Sequence, residues 1–230
     1  MPMRLLVLAC VFLTGCIRPI PTPGPVPEPT SSGIRVLLDW DGHKGFNFNR
    51  FKGDAPSFKA ELIAPSLKGK DKQIQDAVLS RVKAKFLQWN FRFYSTHLNQ
   101  RPGTPFTRIV IGGKATGLLG AKADIKYGLA PLDIGNKNPS DVGIVFAESL
   151  QGMGTLTNNI ENVINVLANT VAHEFGHTVG LRHAEDPTDV MSIKSGWSLL
   201  ITDLRFQKSK LADGTWQDAP QILQKLAESK

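Results

Sequence analysis

The chemistry that can be read from this sequence is concentrated in one run, His173-Glu174-Phe175-Gly176-His177-Thr178-Val179-Gly180-Leu181-Arg182-His183. His173 and His177 are four residues apart, so on a helix both imidazoles project from one face and can share an ion. Glu174 lies about 100° further round the helix. That is too far round for an equal third ligand, but within reach of a water held at the same ion. Gly180 permits the sharp turn that ends a helix, and the turn lets His183 come back to that ion three residues later. Three neutral imidazoles with a fourth position left to water make the open tetrahedral arrangement of catalytic Zn2+, whereas a structural site closes all four positions. The chemistry implied is metal-assisted hydrolysis.

Elements must hold these groups in place. Apolar residues at 160, 163, 164, 167, 168, 171, 175 and 179 predict a helix over 160–179, with Gly180 as its stop. Upstream, Ile34–Asp39 reads as a strand closed by Asp41-Gly42. Ile74, Val78, Val82, Phe86, Trp89 and Phe93 recur at helical spacing. They predict one amphipathic helix from Asp71, as its cap, to about His97. Residues 108–111 read as a second strand, with further strand-like pieces over 120–129 and 142–148. A third helix is expected over 202–211 and a fourth from Pro220. The order strand, helix, strands, helix and irregular tail implies an α+β (α/β layered) domain.

The eleven-residue run resembles the signature of the metzincin zinc peptidases, which also place a methionine-containing turn beneath the metal. Asp189-Val190-Met191-Ser192 resembles that turn, and the eight-residue spacing from His183 to Met191 is similar to the matrixin branch. The resemblance implies a twisted mixed sheet with a long active-site helix and a small irregular C-terminal subdomain. It also implies His173, His177 and His183 as ligands of Zn2+, Glu174 as general base, and a protein or peptide substrate. Val142-Gly143-Ile144-Val145-Phe146 resembles the edge strand along which such a substrate extends, although an ordinary inner strand fits the same residues. Some members carry a tyrosine two residues after the methionine, where this chain has Ile193. The Tyr-Pro that follows the methionine in matrixins is missing, as is a cysteine-containing latency segment. A binding lipoprotein with a vestigial zinc site, and a zinc amidase acting on cell-wall peptides, are the rival readings.

The first residues read as an address. Leu5 to Leu13 form an apolar run of nine after Arg4, about half of what a transmembrane helix needs and suited to a signal peptide. Leu13-Thr14-Gly15-Cys16 resembles a bacterial lipobox, in which Cys16 is lipidated, and acyl chains there would anchor the chain to a lipid bilayer. Seven of the 15 prolines fall within the first 29 residues, so the segment after Cys16 reads as an extended spacer. The expected organisation is therefore a signal peptide over 1–15, lipidated Cys16 and a linker over 16–32, and one catalytic domain over 33–230. Its location would be the cell envelope of a bacterium, at the outer membrane or cell surface. The only two cysteines, Cys10 and Cys16, lie in this address, so the domain has neither disulfide nor thiol chemistry. The net charge of +7 is spread without an aromatic-interleaved basic run, so no nucleic-acid partner is expected and the chain reads as a monomer.

Overall fold

Nearly every residue of Ile34-Arg-Val-Leu-Leu-Asp39 is buried, the pattern of a strand covered on both faces. The computed structural model describes residues 33–48, 51–120 and 127–229, and β1 (Ile34–Asp39) lies inside its main sheet. The signal peptide, Cys16 and the proline-rich linker lie outside the described residues, as does much of the strand-like piece expected over 120–129. After β1 come the hairpin β2 (His43–Phe48) and β3 (Phe51–Ala55), α1 (Asp71–Lys85), β4 (Phe91–Ser95) and β5 (Thr107–Ile111). The short α2 (Ala115–Leu119), β6 (Gly128–Leu129), β7 (Val142–Val145) and α3 (Ile160–Thr178) follow. The tail holds α4 (Trp197–Leu200), β8 (Lys208–Lys210), β9 (Trp216–Asp218) and α5 (Ala219–Glu228).

The sheet order is β4-β1-β5-β7-β6. Its first four strands are parallel and β6 runs antiparallel to β7, so the fold is the expected mixed, layered arrangement. Val36, Leu38, Ile109, Ile111 and Val145 face α1 and α3 and form the main core with them. The opposite face, with Val110 and Ile144, is covered by the β2–β3 hairpin and α2. Phe86, Phe91, Phe93, Phe175 and Phe206 make an aromatic cluster in the main core, with Phe86 and Phe175 centred 5.2 Å apart edge to face. Burying such a ring is worth about 1.5–3 kcal/mol. Phe175 lies between Glu174 and Gly176, so this cluster clamps the helical turn that carries the site.

Two expected helices differ. The helix from Asp71 stops at Lys85, and 91–95 form β4, paired in register with β1 from Ile34↔Phe91 to Leu38↔Ser95. The aromatic positions 86, 89 and 93 are core as expected, yet Leu87 is 84% exposed because the chain turns there. Asp71 is the first helical residue rather than the cap, and its carboxylate accepts the Ala60 N–H at 2.9 Å. His97 follows β4 instead of ending α1, with Nε2 2.9 Å from the Asp76 carboxylate. The helix expected over 202–211 is absent. Asn165 and Asn169 of α3 donate their side-chain N–H groups to the carbonyls of Leu200, Ile201 and Thr202. Those carbonyls are the acceptors a continuing helix would use. The fourth helix is α5, with Asp218 accepting the Gln221 N–H at its start.

Candidate metal centre

α3 starts where Asn159 accepts the Glu161 N–H at 2.9 Å and continues for 19 residues. Its end is a Schellman turn: Gly180 N–H donates to His177 C=O and Leu181 N–H to Gly176 C=O, both at 2.9 Å. Gly180 has φ +93°, and a Cβ there would come within 2.9 Å of Ile134 Cα. An L side chain in this region costs about 1–2 kcal/mol before any clash. Gly180→Ala should therefore destabilise the fold by at least that amount, seen as a lower melting temperature, and weaken metal binding through His183. A parent-like melting temperature would show that the turn can relax.

The turn brings three imidazoles together. His177 Nε2 lies 3.1 Å from His173 Nε2 and 3.0 Å from His183 Nε2, and one ligand atom from each of the three falls within 4.8 Å of the others. His173 Nδ1 donates to Val190 C=O and His177 Nδ1 to Leu181 C=O, each at 2.8 Å. A carbonyl can only accept, so both rings carry their proton on Nδ1 and present the Nε2 lone pair. Burial, reinforced by the neighbouring imidazoles, pushes His173 down to about 3 and His177 down to about 4, so both are neutral at physiological pH. Two lone pairs about 3 Å apart cannot hydrogen-bond to each other. They fit a cation between them, and tetrahedral Zn–N bonds of about 2.0–2.1 Å place ligand nitrogens about 3.3 Å apart. Neutral imidazoles oriented through Nδ1–H to carbonyls are the usual support for such an ion, and this group suits Zn2+.

The methionine turn fits beneath the helix. Met191 is fully buried, and a Cβ at Gly176 would meet its Sδ at 2.5 Å, so the glycine inside the histidine motif is needed for this contact. Asp189 accepts the Met191 N–H and the Ser209 hydroxyl and stays buried, which pushes its carboxyl up. The turn thereby holds the Val190 carbonyl that orients His173. Ile193 is 66% exposed, and its side chain has no proton to donate.

Glu174 is buried beside this group and lines the same cleft, a space of about 800 Å³. The cleft is also lined by the β6 segment from Tyr127 to Ala130, and by Trp197 and Leu200 from the tail. Here the structure corrects the edge-strand expectation: β7, which includes Val142–Val145, lies between β5 and β6, and among the described residues the edge on this side is β6. A two-residue strand has too few positions to show alternation in sequence. Tyr127 was also not signalled; its ring stands edge-on to Trp197 at 5.0 Å, and burial raises its phenol so that it stays protonated. His43 and His97 do not join the metal group.

An archaemetzincin from Methanopyrus kandleri is similar at 14% identity and a TM-score of 0.47, covering 87% of this chain and 99% of its own. A zinc-dependent peptidase from Methanocorpusculum labreanum is similar at 14% identity and a TM-score of 0.42, covering 83% of this chain and 100% of its own. No protein-family model matches the sequence, and no curated protein matches it.

Proposed function

We propose that the protein is a zinc-dependent endopeptidase of metzincin type, with His173, His177 and His183 as ligands and Glu174 as general base. The observation that carries this reading is the convergence of neutral imidazole lone pairs on one point, at the wall of a cleft that Glu174 shares. A zinc ion held there would polarise a scissile carbonyl and make water more acidic, toward a pKa of about 7. Glu174 would take the proton of the attacking water and pass it to the leaving amine. An extended peptide would lie along β6, whose outer edge has no further strand among the described residues. The protonated Tyr127 phenol supplies a donor on that wall.

Lipidation at Cys16 would tether the domain to a bilayer, a proposal supported by the lipobox-like residues alone. No helix among the described residues is long and apolar enough to cross a membrane. The test of function is cleavage of an unfolded protein by the full chain, before and after chelation and again after zinc is restored. Cleavage should vanish with the chelator and return with zinc. Absence of cleavage by the zinc-loaded chain, or cleavage indifferent to the chelator, would overturn the reading.

A further inference from the structure

We propose that Gly128 is a positioning residue for Glu174: the sheet edge lacks a side chain at this point so that the carboxylate can lie against the strand backbone inside the cleft. The proposal rests on the reading of Glu174 as general base. Gly128 of β6 is paired with Val145 of β7, and Val145 is buried in the core shared with α3. Position 128 therefore faces α3 as well. A Cβ there would lie 2.2 Å from Glu174 Oε1, 2.5 Å from Cδ and 2.6 Å from Cγ. Swinging the terminal carboxylate aside would not relieve these contacts, because Cγ is among them. The whole side chain would have to leave its rotamer, and with it the cleft wall that Glu174 and Gly128 now share.

Backbone conformation does not explain the glycine. Gly128 is outside the left-handed region, unlike Gly180, so alanine could adopt its φ without strain. Glycine in a strand costs conformational entropy and contributes no packing. The other tight strand glycines have softer neighbours. A Cβ at Gly53 would meet only the end of the Leu118 side chain, and one at Gly143 would sit 3.0 Å from Ile109 Cδ1 and 3.1 Å from Ala130 Cβ, contacts relieved by a shift of a few tenths of an ångström. At Gly128 the obstacle is the acid itself, along three successive atoms. Glu174 thus occupies the space that a side chain at 128 would take.

A double-mutant cycle tests this on the full chain, comparing parent, Gly128→Ala, Glu174→Ala and the pair for zinc stoichiometry, kcat, KM and melting temperature. Gly128→Ala should bind one zinc as the parent does and keep KM within about twofold. Its kcat should fall by about 10²-fold or more, the scale of a misplaced general base. It should also melt lower than the parent. In the Glu174→Ala background the same substitution should leave the melting temperature unchanged or raise it, since the new methyl then fills vacated space and restricts the unfolded chain. Equal melting shifts in both backgrounds, or a parent-like kcat in Gly128→Ala, would overturn the proposal. If Gly128→Ala fails to fold, recovery in the double variant supports it and continued failure overturns it. A parent without peptidase activity would count against the peptidase reading, and the melting cycle would still report on the Gly128–Glu174 contact by itself.

Discussion

Glu174→Gln should retain its zinc and lose its turnover, with kcat/KM at least about 10³-fold below the parent. A positioned general acid–base contributes typically 10²–10⁴-fold, and here one carboxylate is assigned both the uptake of the proton and its delivery. Glutamine has the same shape, so it fits the space against Gly128 that the parent side chain fills. It cannot accept a proton under assay conditions. The ligand set is untouched, because the Nε2 atoms of His173 and His177 are aimed by the carbonyls of Val190 and Leu181, not by Glu174. Zinc affinity should thus stay within a few-fold of the parent while about 4 kcal/mol of transition-state stabilisation disappears. Steady-state kinetics beside a competitive zinc titration separate the two quantities. A parent-like rate in the zinc-loaded variant would remove Glu174 from the mechanism, and simultaneous loss of zinc would make it a ligand instead.

The readable part of this site is the part with local causes. Two histidines four apart, a glycine that ends the helix and a third histidine beyond it specify one turn of α3 and its exit, and the Schellman bonds at Gly180 and Leu181 realise that turn. Met191 could be placed because its short connection to His183 leaves little freedom. The aromatic series through Phe86, Trp89 and Phe93 was ambiguous for a physical reason: an intervening turn keeps these rings on one buried cluster although the chain passes from helix to strand. The pairing of β4 with β1 decides the matter, and it joins residues far apart in sequence. The tail departs from a helix for a similar reason, since the carbonyls of 200–202 are taken by asparagines of α3. Gly128 carries no signal in a linear reading. Its meaning comes from Glu174, which reaches it only after the sheet and α3 have packed.

His177→Ala is expected to abolish zinc binding at working concentrations, and activity with it. His177 is the central imidazole of the group, with its Nε2 at 3.1 Å and 3.0 Å from those of His173 and His183. Its removal therefore leaves only two imidazoles to hold an ion. Disturbing only the partner that orients a metal ligand typically costs 10–100-fold in affinity, so losing the ligand should exceed about 10²-fold. The loss extends to stability, because an ion that binds only the folded chain stabilises it by RT ln(1 + [L]/Kd), about 4 kcal/mol at a thousandfold excess over Kd. Zinc should raise the melting temperature of the parent and barely move that of His177→Ala. His43→Ala and His97→Ala provide the contrast. Both histidines lie outside the metal group, so a parent-like zinc response is expected from each of these variants. Calorimetric zinc titration and thermal melts with and without zinc test the assignment together. Undiminished zinc binding by His177→Ala, or its loss in His43→Ala, would place the ion somewhere other than at the end of α3.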